Sequence, residues 1–138
     1  MKGGTAEYKA VLRTQSEEGT ERIIAKAERT ADGAYSFEKE DVMFRVKATG
    51  DRVLIERRGE MAYELTLLSG QKTKVRIMTS FGEVDAQATV KRLQVQEADG
   101  RTDISCDYVL DFSGYAQYHE IHFSAKRMKC KGEEGDES

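Results

Sequence analysis

Residues 104–125 read ISCDYVLDFSGYAQYHEIHFSA, and the order of polar and apolar side chains in this stretch decides the fold. In its first half every second residue belongs to one apolar face, which consists of Ile104, Cys106, Tyr108, Leu110 and Phe112. A short loop at 113–116 follows. The second half alternates again, and its inward residues are His119, Ile121, Phe123 and Ala125. Alternation with a period of two in adjacent runs predicts a half-buried antiparallel hairpin.

The rest of the chain repeats this alternation and predicts about ten short strands in total, joined by tight turns. Pro is absent, so Gly and Asp supply the turn conformations. Segment 21–29 contains helix-favouring residues, but its apolar side chains alternate, and we therefore expect a strand there. In segment 84–95 the inward apolar residues occupy even positions at first and odd positions later, and the change falls at 91–92. This change predicts a β-bulge that bends the strand.

These features predict an all-β fold, namely a single antiparallel, mostly up-and-down β-barrel of about 8–10 strands, in which closure removes exposed edges. A β-sandwich is the alternative, and the short loops between successive strands favour the barrel. The 138 residues suit one domain that can bury a core without disulfides or metal. We expect the barrel domain to span residues 5–130, with the acidic residues 131–138 forming a disordered tail.

Charge and composition argue against several classes of function. The net charge of −3 arises from the tail, and the balanced remainder argues against nucleic acid as a partner. The sequence lacks both the run of roughly 18 apolar residues that a membrane helix needs and a secretory signal, so we expect a cytoplasmic protein without membrane contact. Cys106 belongs to the core face, and a disulfide with Cys130 is not expected in a reducing compartment. Metal-ligand spacing is also missing, so we expect no metal and no cofactor.

Several motifs resemble those of a known family. SFGE at 80–83, Gly-Arg at 100–101 and VLIERRG at 53–59 are similar to segments of the YwiB-like family of small bacterial β-barrel proteins, a domain of unknown function. The resemblance covers residues 42–126, and the N-terminal third only by pattern. It implies a lipocalin-like (calycin-type) barrel and no activity. Segment 33–41 departs from the family because it is shorter than the corresponding aromatic-rich hairpin, which bears on the strand count and on the width of one barrel mouth.

The inward faces also indicate which side chains line the interior of the barrel. The candidate cavity-lining residues are Phe44, Tyr63, Tyr108, His119 and Phe123. An inward tyrosine needs a partner for its hydroxyl, either a polar neighbour or a bound ligand. Many other inward positions carry small side chains, which suit either an open interior or strands that approach closely at a taper. A barrel filled by side chains and a hollow barrel are both compatible with this pattern.

The two histidines, His119 and His122, cannot bind a metal as a pair, because a separation of three residues along a strand puts them on opposite faces. His119 points inward and is either a core-edge histidine hydrogen-bonded to a neighbour or a ligand-binding or acid–base group. His122 is expected to face solvent. The basic pair Arg57-Arg58 is interpreted as a solvated site on an outer face or strand end. The sequence contains neither a glycine-rich phosphate loop nor a serine hydrolase elbow.

The function is unknown at this point, and three hypotheses follow. The first is a non-enzymatic barrel that binds a small, largely apolar ligand, with the inward tyrosines and His119 as polar contacts. The second is a protein-interaction module with a solid barrel, suggested by Met43, Val109 and Tyr118 on otherwise polar faces. Its partner can be a second copy of the chain, so the expected state is a monomer or a homodimer. The third is an enzyme that uses His119 with an inward tyrosine or arginine.

Overall fold

The computed structural model of the protein describes residues 6–128, which form ten strands and no helix. These strands are β1 (Glu7–Ser16), β2 (Gly19–Arg29), β3 (Tyr35–Lys39), β4 (Val42–Thr49), β5 (Arg52–Arg58), β6 (Ala62–Leu68), β7 (Lys72–Thr79), β8 (Gly82–Ala98), β9 (Arg101–Asp111) and β10 (Ala116–Arg127). Each strand pairs antiparallel with the next along the chain, and β10 pairs with β1, which closes the barrel. The predicted all-β, up-and-down barrel is confirmed, and segment 21–29 is a strand.

Some of the predictions concern the chain termini. The domain limits at residues 5 and 130, the acidic tail at 131–138 and the thiol of Cys130 lie outside the described residues. Cys106 is buried on the core face of β9 as a free thiol. Burial raises the pKa of the Cys106 thiol to about 12, so this side chain packs as a small, unreactive hydrophobe.

The hairpin formed by β9 and β10 has the register that its alternation requires. Ile104 lies opposite Phe123, and both side chains are buried in the core. Tyr108 lies opposite His119, closer to the loop that joins the two strands. The hairpin therefore brings an aromatic hydroxyl and an imidazole side by side on the inner wall of the barrel.

The long strand β8 contains the irregularity that the sequence predicts. Its register with β9 shifts between Val90 and Arg92, which leaves Lys91 as the extra residue. The predicted β-bulge is therefore confirmed. Because of this bulge, Val90 and Leu93 both lie toward the core although they are three positions apart in the sequence.

Aromatic side chains fill one half of the barrel interior, which we call the packed half. The ring of Tyr35 lies 5.1 Å from that of Tyr8 and 5.6 Å from that of Phe123. Phe37 stacks on Phe123 at 6.0 Å. The Tyr35 hydroxyl reaches across the barrel and forms a buried hydrogen bond of 2.6 Å with the Thr102 hydroxyl. Rings and hydroxyls from opposite walls therefore close this half of the interior.

A row of small residues provides the space for these rings. Ala25, Ala10 and Ala125 lie side by side across β2, β1 and β10. Protein interiors are close-packed, so small side chains leave room for neighbouring large rings, and here the rings of Tyr8, Phe123, Tyr35 and Phe37 project from β1, β10 and β3. In this half of the barrel the small inward residues accommodate aromatic rings rather than opening a cavity.

The opposite end of the barrel, which we call the mouth, is more open. An up-and-down barrel places alternate loops at the same end, and the mouth carries the loops at 17–18, 40–41, 59–61, 80–81 and 112–115. Next to the mouth, β6 and β7 pair through only two residue pairs, Ala62 with Met78 and Tyr63 with Ile77. Farther from the mouth, the Thr73 hydroxyl donates to the Thr66 carbonyl at 2.5 Å. The strand ladder is therefore weakest on the β6–β7 side.

Candidate binding cavity at the barrel mouth

A cavity of about 400 Å³ opens at the mouth, which lies in the range of small-molecule sites. Its floor and walls are mainly apolar, and among the residues that form them are Leu12, Phe44, Leu65, Val75, Ile77 and Leu110. Polar and charged side chains surround the opening, and these include Gln15, Glu18, Glu21, Arg57, Gln117 and His119. An apolar floor with a few polar groups at its edge suits a ligand that has one apolar and one polar end.

Four of the five residues that the sequence singles out line this cavity. They are Phe44, Tyr63, Tyr108 and His119. Phe123 lies instead in the packed half, where its side chain is 2% exposed and stacks on Phe37. Phe123 thus lies on the inward face of its strand, as expected. Its position along the barrel axis, however, places it below the cavity.

The two cavity tyrosines lack protein partners for their hydroxyls. Within residues 6–128, neither Tyr63 nor Tyr108 forms a side-chain hydrogen bond with another group of the protein, unlike Tyr35. Burial raises the pKa of both tyrosines, so both hydroxyls are protonated and able to donate. A buried hydroxyl without a partner costs about 1–3 kcal/mol. A ligand or water that accepts from these hydroxyls would remove that cost.

His119 lies next to Tyr108 at the edge of the cavity. The two rings stack with their centres 5.1 Å apart, and His119 Nε2 lies 3.1 Å from Gln117 Oε1. Burial lowers the pKa of His119, against the opposing effect of Glu18 and Glu17. The imidazole is therefore neutral at pH 7, with Nε2 donating to Gln117 and Nδ1 left as an acceptor. His119 thus has the neighbour hydrogen bond of a core-edge histidine and also lines the cavity.

The acid–base hypothesis requires a hydrogen bond between His119 and an inward tyrosine or arginine. In the described part of the chain His119 bonds to Gln117, and its contact with Tyr108 is a ring stack. Stacking places ring faces together and does not align a donor with an acceptor. In this arrangement His119 is therefore hydrogen-bonded to Gln117 rather than to a tyrosine or an arginine.

Arg57 is the functional candidate that the sequence interpretation missed. Its side chain is 17% exposed and lines the cavity, whereas that of Arg58 is 78% exposed. The interpretation of this pair as solvated is therefore right for Arg58 and wrong for Arg57. The inward row of β5 runs through Val53 and Ile55, and its next member is Arg57. Continued alternation was the signal that could have identified this residue.

Three contacts fix the Arg57 side chain. Its Nε donates to the Met61 carbonyl at 3.1 Å, and its guanidinium carbon lies 5.5 Å from the centre of the Phe44 ring. One terminal nitrogen lies 3.9 Å from a carboxylate oxygen of Glu21, which is too far for a hydrogen bond. The guanidinium is therefore held in place at the cavity while its terminal nitrogens keep unused donors.

His122 differs from the expectation that it simply faces solvent. On the outer surface of the barrel it is half-buried, and its Nδ1 lies 3.0 Å from the Ser105 hydroxyl. A catalytic triad needs a carboxylate that orients the histidine. Within residues 6–128 no carboxylate bonds to His122, so this cross-strand pair has the form of a local structural contact.

A second concavity of about 550 Å³ lies on the outer face of β7 and β8. In its lining Arg76 lies 3.7 Å from Asp85, and Arg76 also lies 3.9 Å from Glu83 beside the concavity. These side chains are well exposed, and such surface ion pairs are weak and solvated. The mouth cavity is the better candidate because it combines apolar depth with unpartnered polar groups.

Residues 6–128 contain no group of three or more His, Cys, Asp or Glu side chains that could hold a metal ion. They also contain no helix with the length and hydropathy needed to span a membrane.

Comparisons with known proteins place the chain in a family. The profile of the family described as Domain of unknown function (DUF1934) matches residues 12–123. No curated protein matches the chain significantly. The crystal structure of the ywiB protein from Bacillus subtilis is similar with a TM-score of 0.70 and 18% sequence identity, over 90% of this chain and 93% of that chain. The chain therefore belongs to the DUF1934 family, and its fold is the YwiB-like β-barrel that the sequence resemblance implied.

Proposed function

We propose that this barrel is a non-enzymatic binding protein that holds one small, largely apolar ligand in the mouth cavity. The observation that carries the proposal is the cavity of about 400 Å³, whose apolar floor lies beneath two tyrosine hydroxyls without partners in the described chain. Apolar burial supplies the binding free energy, at about 25 cal/mol per Å² of apolar surface removed from water. Tyr63, Tyr108 and His119 supply the polar contacts that orient the ligand.

The proposal is tested with a neutral probe, N-phenyl-1-naphthylamine, whose fluorescence rises in apolar surroundings. Wild-type protein should bind one probe per chain. Ile77 lines the cavity, so Ile77→Trp should fill it and reduce binding at least several-fold. Ile24→Trp is the matched control because Ile24 is exposed on the outer face. Equal binding by all three proteins, or no binding by the wild type, would contradict the proposal, with thermal unfolding used to confirm that each variant is folded.

A second candidate function is self-association through the mouth. Apart from Ile24, the exposed large apolar side chains of residues 6–128 lie in the loops and strand ends at this end of the barrel, and they are Met43, Met61, Met78, Phe81, Val84, Tyr115 and Tyr118. Phe81 is 99% exposed at the tip of a mouth loop. Exposed apolar groups that share one surface favour an interaction site over scattered surface residues.

Light scattering over a range of protein concentrations tests this second candidate. A dimer is expected for the wild type and for Ile24→Ser, and Phe81→Ser should shift the equilibrium toward monomer. Phe81 lies outside the cavity lining, so its replacement should leave probe binding unchanged. A wild-type monomer at every concentration would rule out self-association.

A further inference from the structure

We propose that the mouth cavity selects a ligand that joins an apolar chain or ring to a single carboxylate, and that the Arg57 guanidinium binds this carboxylate. The inference rests on the proposed ligand-binding function and adds the chemical class of the ligand. It assigns the polar end to one named side chain. The apolar part occupies the floor of the cavity, and the carboxylate lies at the opening, where Arg57 and Tyr63 meet.

The position of Arg57 in the barrel supports this assignment. It is an inward residue of β5, directly opposite Tyr63 on β6, and both side chains line the cavity. A charged group at an inward position loses hydration, and such groups are usually paired. In the part of the chain that the structure describes, the only acidic partner of Arg57 is Glu21, at 3.9 Å. The charge of Arg57 is therefore incompletely compensated.

The donors of Arg57 match a carboxylate in number and geometry. A guanidinium carries five N–H groups in a planar fork, and two of them can bind a carboxylate side by side. Nε is used by the Met61 carbonyl at 3.1 Å, which anchors the side chain and leaves the terminal nitrogens. The contact with the Phe44 ring holds the plane of the guanidinium. The fork is thus oriented before a ligand arrives.

Glu21 acts as a weak competitor for the same guanidinium. Its side chain is 60% exposed, and its separation of 3.9 Å from Arg57 gives an ion pair without a hydrogen bond. Exposed pairs of this kind contribute about 0–1 kcal/mol. A ligand carboxylate that enters the cavity can replace this contact with two short hydrogen bonds. The side chain of Glu21 can then move into solvent.

The charges around the opening set an upper limit on the charge of the ligand. Glu18 and Glu21 are acidic, Arg57 is the basic residue of the lining, and His119 is neutral at pH 7. One guanidinium facing two carboxylates disfavours a ligand with several negative charges. Tyr63 lies directly opposite Arg57 across β5 and β6 and lines the same cavity, so its hydroxyl can donate to the same carboxylate. The geometry therefore suits a monoanion with an apolar body.

Isothermal titration calorimetry with three ligands of one chain length tests the inference. The ligands are decanoate, decanol and decyltrimethylammonium, used below their micelle concentrations. For the wild type, decanoate should bind most tightly. Arg57→Gln should weaken decanoate binding about tenfold, the size of a lost charge-assisted hydrogen bond, and change decanol binding little. Arg58→Gln, the adjacent outward arginine, is the matched control and should leave both affinities unchanged.

A second variant tests the inference even if Arg57→Gln fails to fold. Glu21→Gln removes the competing carboxylate at an exposed position, so decanoate should bind several-fold more tightly and decyltrimethylammonium more weakly. The carboxylate assignment would be overturned if decanol bound as tightly as decanoate and if neither Arg57→Gln nor Glu21→Gln changed the affinity for decanoate. The binding function would then still stand. Absence of binding by all three ligands would overturn both proposals.

Discussion

The hydroxyls of Tyr35 and Thr102 meet across the packed half at 2.6 Å, and both residues are buried. Thr102→Val would leave the Tyr35 hydroxyl buried without a partner, so the free energy of unfolding should fall by about 1–3 kcal/mol. Adding Tyr35→Phe removes the second hydroxyl as well, and the double variant should therefore be less destabilised than the sum of the single variants. Urea unfolding of the four proteins measures this coupling. Strictly additive effects would contradict it.

His119 predicts a specific dependence of stability on pH. Its pKa in the folded protein is lowered below the ordinary value of 6.5, mainly by burial, so the unfolded chain binds a proton more readily. The stability contributed by neutral His119 is complete above pH 6.5 and is lost as the pH falls from there toward the folded pKa. Between pH 7 and pH 5 the unfolding temperature of the wild type should therefore decrease more than that of His119→Gln. Parallel curves for the wild type and His119→Gln would be inconsistent with this cause.

Individual residues show what the sequence can and cannot predict about the site. Alternation assigns each side chain to a face, and it places Tyr63, Tyr108 and His119 on the inner wall where the structure has them. Alternation says nothing about height along the barrel axis, which depends on the register between strands that are distant in sequence. Phe123 therefore shares a face with His119 but lies in the packed half. Arg57 follows the same alternation. It was nevertheless assigned to an outer face, because charged side chains usually face solvent.

The bulge in β8 is the element whose removal should have the largest effect. Lys91 is exposed and is the extra residue opposite β9. Its deletion would turn the half of β8 that contains Leu93 and Val95 to the opposite face, or force the strand pairing to slip. Loss of burial for these two side chains should cost about 2–4 kcal/mol. Lys91→Ala keeps the strand length and should change stability by less than about 0.5 kcal/mol.

Chemical unfolding followed by circular dichroism measures both β8 variants. Similar stability of the deletion variant and Lys91→Ala would show that the bulge does not set the register.

The bulge was predictable because it is a local change of phase within one strand. The short ladder of two residue pairs between β6 and β7 was not predictable, since both segments alternate normally.

At the scale of the whole molecule, the interior is filled at one end and open at the other. The sequence is compatible with either a solid or a hollow barrel, because small inward residues suit both. The interior differs between its two ends: Ala10, Ala25 and Ala125 lie in the packed half together with the rings of Tyr8, Tyr35 and Phe123. At the mouth, the cavity lies between the strand ends, and Phe44, Tyr63 and Tyr108 are part of its lining. How far side chains fill the interior at each position along the barrel axis depends on which residues meet across the barrel. A local sequence pattern does not contain that information.

Together with the proposed binding function, the division into a packed half and an open mouth places stability and ligand binding at different ends of one barrel. Contacts such as the Tyr35–Thr102 hydrogen bond stabilise the closed interior, while the hydroxyls of Tyr63 and Tyr108 at the mouth form no side-chain hydrogen bond within residues 6–128. Substitutions at the mouth should therefore affect ligand affinity more than stability. The reverse is expected in the packed half.

The most direct test of binding at the mouth is an NMR titration of isotope-labelled protein with decanoate. We expect chemical-shift changes in the mouth loops and adjoining strand ends, with the Arg57 Nε–H resonance among the most strongly shifted and Tyr35 in the packed half unaffected. Changes confined to the outer face of the barrel, or a spectrum that decanoate does not alter, would contradict binding in the mouth cavity.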